Sequence, residues 1–248
     1  MTSDFDWWQK FYVGTWQDIH SSFRTQERNI LEGSFIVDVL KIKPPDRILD
    51  VPCGEGRLAI ELASRGYKVT GIDFNKHFLK IAKDNAVKKG LDIDWRQRDM
   101  RDIPWKNKFD AVICMWASFG YFDEKGNLEF IKAVSHSLIK GGRLLIDTPV
   151  AETLYPTYKT QGKFKIAGVS VMVNRFIDPN TSRNEEHFTF TKKGRRTSYH
   201  SSIRIYTYQE IINLLKQNAF AHFKSYGSFS KKPFQFGASR LLITAKRI

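Results

Sequence analysis

The sequence predicts an α/β fold: a mostly parallel sheet of seven strands with helices on its faces, a helical segment ahead of it, and a small antiparallel β insert late in the chain. Three observations lead there. Short apolar runs recur at 47–51, 67–72, 91–97, 109–115 and 144–148, separated by stretches with helical apolar spacing. The first run empties into a turn with two glycines, Gly54 and Gly56, that opens a helix. Residues 150–206 then abandon the alternation for strands punctuated by turn residues.

Residues 4–40 read as two or three helices, beginning with the dense aromatics Phe5, Trp7, Trp8, Phe11, Tyr12 and Trp16. Ile30, Phe35, Ile36, Val39 and Leu40 suit a helix packed on the sheet, and Pro44-Pro45 ends it. In the turn after the first strand, Gly54 and Gly56 lack a Cβ, so a ligand can approach the backbone there. The first amides of the next helix are unpaired and point at that ligand. Gly54-Glu-Gly56-Arg-Leu-Ala59 also fits the G-x-G-x-x-A dinucleotide pattern, a weak signal alone.

The second strand ends in Asp73, 23 residues beyond Asp50, where a ribose-binding acid belongs. Asn75 can cap the following helix, whose sheet side carries Phe78, Leu79 and Ala82. The third strand leads to Arg98-Asp99-Met100-Arg101-Asp102 at its carboxyl end, where open α/β sheets bind ligands. Asp99 there accepts hydrogens from a ligand's amino group, or else caps a helix or pairs with Arg98 or Arg101. The fourth strand ends in Trp116-Ala-Ser-Phe-Gly-Tyr-Phe122, and Lys140-Gly-Gly-Arg143 makes the turn before the fifth, 144–148.

In the insert three strands, starting at 164, 186 and 198, are joined by turns at 178–180 and 192–196, beside the active-site edge. A helix over 207–218, capped by Thr207, and a hairpin of 220–226 with 241–246 complete the sheet. The whole is one domain, 1–248, divided into a lid and packing segment (1–43), a cofactor-binding core (44–149), the insert (150–206) and the C-terminal helix and hairpin (207–248).

Hydrophobic residues make up 42% of the chain, enough for a real core. Net charge is +14, and it is uneven: residues 151–248 hold 17 Lys or Arg against 5 Asp or Glu, whereas 1–150 hold 23 against 21. The excess is a solvated positive face or long-range steering; the sharper alternative is attraction of an acidic substrate, nucleic acid or membrane surface. Two separated cysteines, Cys53 and Cys114, indicate no disulfide and a reducing, cytoplasmic compartment. The first residues lack the pattern of a signal peptide, no apolar stretch is long enough to span a bilayer, and the histidines show no metal spacing.

Leu49-Asp-Val-Pro-Cys-Gly-Glu-Gly-Arg57, Asp73, Asp99-Met100 and the strand 109–116 together resemble the class I S-adenosylmethionine-dependent methyltransferases, from about Arg24 to the C-terminus. The fold implied is Rossmann-like. Ser118-Phe-Gly-Tyr-Phe122, Arg204-Ile-Tyr206-Thr-Tyr208 and Tyr226-Gly-Ser-Phe229 resemble a small-molecule subgroup. The Asn/Asp-Pro-Pro-aromatic motif of N6-adenine and many glutamine methyltransferases is absent after the fourth strand, which argues against those mechanisms.

The resemblance implies S-adenosylmethionine as cofactor and assigns its contacts. Cys53, Gly54 and Gly56 would meet the methionine moiety, and Asp50 would orient that loop or reach the amino group. Asp73 would take both ribose hydroxyls. Phe74 and Met100 would flank adenine, Asp99 would hold its amino group, and Trp116 would offer a backbone carbonyl. Tyr12 and Trp16 match the lid, with Phe119 and Phe122 walling the acceptor. Tyr121, His20 and Tyr206 are the candidate bases for an acceptor that needs one.

A small-molecule methyltransferase is therefore the leading expectation. An RNA methyltransferase using Lys192, Lys193, Arg195 and Arg196, and a cofactor-binding protein without chemistry, are the alternatives. An NAD-dependent enzyme is a weaker one.

Overall fold

The computed structural model describes residues 6–20 and 25–248, except the side chains of Gln17, Asp18 and His20. Helices α1 (Trp7–Phe11), α2 (Thr15–His20) and α3 (Gln26–Leu40) precede the sheet. The core then alternates β1 (Arg47–Asp50), α4 (Arg57–Ser64), β2 (Lys68–Asp73), α5 (Lys76–Lys88), β3 (Asp94–Gln97), β4 (Phe109–Cys114), α6 (Glu124–Ser137) and β5 (Leu138–Thr148). After the short α7 (Ala151–Leu154) come four antiparallel strands, β6 (Gln161–Ile166), β7 (Val169–Asp178), β8 (Arg183–Lys192) and β9 (Arg195–Arg204). Helix α8 (Tyr208–Lys216) and strands β10 (Phe220–Tyr226) and β11 (Leu241–Arg247) close the chain.

The seven-stranded sheet has the order β10-β11-β5-β4-β1-β2-β3. Strands β3, β2, β1, β4 and β5 pair in parallel, and β11 runs antiparallel to β5 and β10. Ile48, Leu49, Val112, Ile113, Leu144, Leu145 and Ile146 are completely buried, which explains why these strands read as unbroken apolar runs. The chain works outward from β1 to β3 and then returns to β4 on the other side of β1. That reversal leaves a crevice at the carboxyl ends of β1 and β4, the position where open α/β sheets bind ligands.

Two expectations are corrected. The run beginning at 164 is two strands, because Ala167 (φ 45°) and Gly168 (φ 76°) turn the chain in the left-handed region between β6 and β7. Lys140-Gly-Gly-Arg143 is not a turn ahead of the fifth strand. Strand β5 starts at Leu138, directly after α6, and the pairing with β4 slips between Phe109↔Leu138 and Ala111↔Arg143. Gly141 (φ 83°) lies in that bulge.

The insert sheet turns one face inward. Val169, Val171, Val173 and Phe190 are fully buried in the same cluster as Trp7, Trp8 and Phe11. Phe11 meets Phe188 at 5.6 Å, Trp16 meets Phe190 at 5.3 Å, and the Tyr199 hydroxyl donates to the Val13 carbonyl at 3.0 Å. Insert and N-terminal helices therefore form one packed layer over the crevice.

Candidate active site

Strand β1 delivers Asp50, 2% exposed, to the floor of the crevice. The turn that follows is tied to the neighbouring strand by the Cys53 amide, which donates to the Ile72 carbonyl at 2.8 Å. Gly54 (φ +54°) has no atom within 4 Å of the place a Cβ would occupy, so its backbone faces open space. Gly56 (φ +73°) serves differently: a Cβ there would lie 2.4 Å from the Trp95 ring and 2.8 Å from Ala82. Its role is close packing at the start of α4. Burial, with Asp73 and Asp50 nearby, holds the Cys53 thiol well above its ordinary pKa, so it remains a neutral thiol.

Asp73 ends β2 with both carboxylate oxygens in use. One accepts from the Gly54 amide at 2.7 Å, the other from the Asn75 amide at 2.8 Å. Asn75 caps α5 by accepting from the His77 and Phe78 amides, and its own amide donates to the Tyr12 carbonyl at 3.0 Å. One acid thus fixes the glycine turn, and its neighbour Asn75 fixes the N-terminal helical segment at Tyr12. Asp99 is forked to Arg101 (2.7 and 3.0 Å), the ion pair expected as the alternative to a ligand contact. Its position in the wall remains compatible with that contact.

Beyond β4, Trp116 (φ 64°) and Ala117 (φ 58°) are consecutive non-glycine residues in the left-handed region, a conformation that costs free energy and clusters at functional sites. Their amides are held by Asp147, at 3.1 Å through its carboxylate and 3.0 Å through its carbonyl. Burial raises the Asp147 pKa, against the pull of Arg240 at 3.1 Å. The Trp116 indole donates to fully buried Glu32 at 3.0 Å, and the guanidinium carbons of Arg28 and Arg57 lie 4.3 and 4.7 Å from its ring centre. Glu32 also pairs with Arg28 at 3.0 Å and with Arg57.

The carboxyl ends of these strands and the N-terminal helices border a partly open cavity, concave and largely apolar as small-ligand sites are. Asp50, Cys53, Gly54, Asp73, Phe74, Asp99, Met100 and Trp116 line it, as do Tyr12, Tyr121 and Phe122. The Tyr12 and Tyr121 hydroxyls meet at 2.6 Å. Burial, reinforced by Tyr12, pushes the Tyr121 phenol well above its ordinary pKa. It is therefore a neutral hydroxyl rather than a base at neutral pH.

Gly56, Trp16, Phe119 and Tyr206 do not line the cavity. Trp16 packs behind the lid against Phe11, Phe188 and Phe190. Phe119 stacks on Tyr206 at 5.4 Å. The Tyr206 hydroxyl donates to Glu124 at 2.8 Å and accepts from Asn127 at 3.1 Å, and burial beside Glu124 raises its pKa. It buttresses the wall from outside. The His20 side chain lies outside the described residues.

Trp8, Pro52, Arg57, Leu58, Phe78, Met115 and Ser118 line the cavity without having been singled out as site residues. Arg57 and Leu58 were legible, since they form the first turn after the glycines. Phe78 carried only the signature of a sheet-facing helix residue, and Trp8 only that of an aromatic cluster.

Comparison with known proteins fits this geometry. Residues 48–142 match the model of a methyltransferase domain. Over that stretch the chain is similar to the class I S-adenosylmethionine-dependent methyltransferases. Among members of that family, it is 25% identical to a glycine/sarcosine N-methyltransferase of Aphanothece halophytica over 95% of this chain and 88% of that protein. It is 40% identical to a ubiquinone biosynthesis O-methyltransferase of Chromobacterium violaceum over 40% of this chain and 44% of that one. The fold resembles an S-adenosylmethionine-dependent methyltransferase from Clostridium acetobutylicum, with a TM-score of 0.79 at 18% identity, covering 91% of this chain and 94% of that one. The chain spans less than half the length of several curated relatives it matches, at 41–47%.

The cavity of this methyltransferase fold suits the family's cofactor. Its open backbone at Gly54 accommodates close approach, its acids suit hydroxyl and amino donors, and its aromatic and methionine side chains suit a purine and a sulfonium.

Proposed function

We propose that this chain uses S-adenosylmethionine to methylate the nitrogen of a small-molecule amine by in-line displacement. The observation that carries this reading is the charge of the cavity. In a chain of net charge +14, three carboxylates line one aromatic-walled space: Asp50, Asp73, and Asp99, which Arg101 engages from its side. The lining cation Arg57 is engaged by Glu32 and Asn29. Such a cavity favours a cationic ligand.

Asp73 would hold the ribose hydroxyls, Asp99 the adenine amino group between Phe74 and Met100, and the backbone at Cys53 and Gly54 the methionine end, near Asp50 and the Trp116 carbonyl. When bound, the cofactor supplies a methyl group on sulfur whose departure leaves a neutral thioether, so no developing anion needs a partner. What the chain contributes is alignment and exclusion of water by Trp8, Tyr12, Tyr121 and Phe122.

The nature of the acceptor follows from the opposite wall. Among the described residues lining the acceptor side, the polar groups are the hydroxyls of Tyr12, Tyr121 and Ser118, with neither histidine nor carboxylate. A hydroxyl or carbon acid needs a base in the site to become nucleophilic, whereas an amine that has given its proton to solvent before it binds carries its lone pair ready. The phenols can accept or donate a hydrogen bond to it without ionising. The resemblance to a glycine/sarcosine N-methyltransferase over nearly the whole chain supports the same reading.

Two measurements test it. Calorimetric titration with S-adenosylhomocysteine should give saturable binding. A panel of glycine, sarcosine, an amino sugar and their hydroxyl analogues, with labelled methyl donor, should show transfer to amines. Absence of S-adenosylhomocysteine binding overturns the cofactor assignment, and transfer confined to hydroxyl analogues overturns the amine assignment.

A further inference from the structure

Loop 118–122 supplies Ser118, Tyr121 and Phe122 to the cavity, with Ser118 tied to the Met115 carbonyl at 2.9 Å and the carbonyls of 120–122 facing the insert. Arg183, at the start of β8 in the insert and 2% exposed, meets them there. One guanidinium nitrogen donates to the Phe122 carbonyl at 2.7 Å. Another donates to the Tyr121 carbonyl at 3.0 Å and reaches the Gly120 carbonyl at 3.5 Å. The Nε donates to the Ser202 hydroxyl at 2.6 Å, and the nitrogen that meets Tyr121 also donates to the Ser202 carbonyl. Three successive carbonyls of the acceptor loop therefore converge on one planar cation. Only the fixed fork of an arginine makes that arrangement; a lysine ammonium is a point charge on a flexible stem.

A buried cation that spans two structural units is costly unless it is compensated. Here the compensation comes from the insert. Ser202 passes the contact on to Glu185 at 2.6 Å, and Glu185 accepts from His200 at 2.7 Å. The loop side is correspondingly shaped to receive the insert. The Gly120 carbonyl accepts from the Arg204 amide at 2.8 Å, and a Cβ on Gly120 would lie 2.6 Å from the Arg204 carbonyl. From the other flank, Asn127 brackets Phe122 through its amide (3.2 Å) and carbonyl (2.9 Å). The Tyr121 ring, so held, meets Trp7 of the lid at 4.9 Å, and its hydroxyl meets Tyr12.

We infer that Arg183 is a positioning residue for the acceptor: through it the β insert sets the shape of loop 118–122, and with it the placement of Tyr121 and Phe122 against the incoming substrate. The inference rests on the cavity being the site of methyl transfer. Asp73 holds the Gly54 and Asn75 amides, whereas Arg183 holds loop 118–122, so the inference treats cofactor binding as separable from the Arg183 contacts.

The test compares wild type with Arg183→Lys and Arg183→Met. Amide hydrogen exchange at 118–122 should rise about tenfold or more in both variants, while exchange in 47–57 and 68–75 stays at the wild-type rate. Affinity for S-adenosylhomocysteine should stay within about threefold of wild type. For an amine of the panel that is turned over, KM for the amine should rise and KM for the methyl donor should not. Exchange at 118–122 unchanged in Arg183→Lys overturns the inference, since the charge is kept and only the fork is lost. Uniformly raised exchange in both variants also overturns it, because Arg183 then serves general stability. Loss of S-adenosylhomocysteine binding by wild type itself defeats the methyl-transfer reading instead, and the exchange result stands apart from it.

Discussion

The two walls of the cavity are built in opposite ways. The wall proposed for the cofactor is local: Asp50, Cys53 and Gly54 come from five consecutive residues, and the Asp73 carboxylate clamps the Gly54 amide directly. Its precision is that of backbone on a parallel sheet. The acceptor wall is assembled from afar. Tyr12 and Tyr121 meet across 109 residues, and Arg183 holds Phe122 across 61. Its precision depends on side chains from the lid, the loop after β4 and the insert. A locally built wall tolerates change elsewhere, and a composite wall does not.

The contrast breaks down first if the cofactor wall is itself dependent on distant support, and Glu32 is the place to look. This fully buried carboxylate receives Arg28, Arg57 and the Trp116 indole. Glu32→Ala leaves Arg57 buried without its carboxylate, and a loss of about 3–5 kcal/mol is expected on denaturant unfolding. Glu32→Gln, which keeps part of the hydrogen bonding, should lose less. A loss below about 1 kcal/mol for the alanine variant would mean that water replaces the carboxylate freely.

Next in size, Asp73→Ala should weaken S-adenosylhomocysteine binding by about a hundredfold, roughly 2.7 kcal/mol, by calorimetric titration. It removes the acceptor of the Gly54 amide together with the proposed ribose partner. Retained affinity would place the ligand elsewhere in the cavity.

Tyr12→Phe sharpens the comparison from the other side. It removes one hydroxyl of the 2.6 Å pair, so a cost of about 1 kcal/mol is expected in amine turnover, with S-adenosylhomocysteine affinity nearly unchanged. Equal effects on both ligands would mean that the lid serves the two walls alike.

The smallest effect at neutral pH, and the one that grows outside it, is titration. Tyr121 and Tyr206 have pKa values raised from the ordinary 10.0, chiefly by burial. A raised pKa means the folded state favours the protonated phenol. The stabilisation is complete below pH 10 and is lost as pH rises through the folded values. Glu185 runs the other way. Burial pushes its pKa up, but hydrogen bonds from His200 and Ser202 and the charges of His200 and Arg183 outweigh it, and the net direction is down from 4.5. Its contribution is present above that value and lost as pH falls through the folded one. Thermal unfolding across pH should therefore weaken at both extremes, and Glu185→Gln should flatten the acid limb alone.

Much of this was readable before any coordinates. The apolar periodicity marked the seven-stranded sheet, because strands buried on both faces admit little else than apolar residues. The glycine turn and the acids at 50, 73 and 99 pointed to the cofactor wall, because their roles depend on spacing along the chain and on the ends of strands. The dense aromatics, by contrast, looked equivalent. Trp8, Tyr12 and Trp16 share one composition and one segment, yet the first two face the cavity and the third packs behind it. Trp16 turns to Phe188 and Phe190 of the insert, whereas Trp8 turns to Phe74 and Phe122 at the sheet's carboxyl ends. Tyr206 likewise carried the marks of a site residue, and Glu124 and Asn127 claim its hydroxyl from a helix some eighty residues away. Arg183 gave no signal at all, being one basic residue in a basic stretch. Periodicity and local spacing are properties of the chain and survive in the sequence. The meeting of a guanidinium with three carbonyls of another loop exists only once the insert has folded over the crevice.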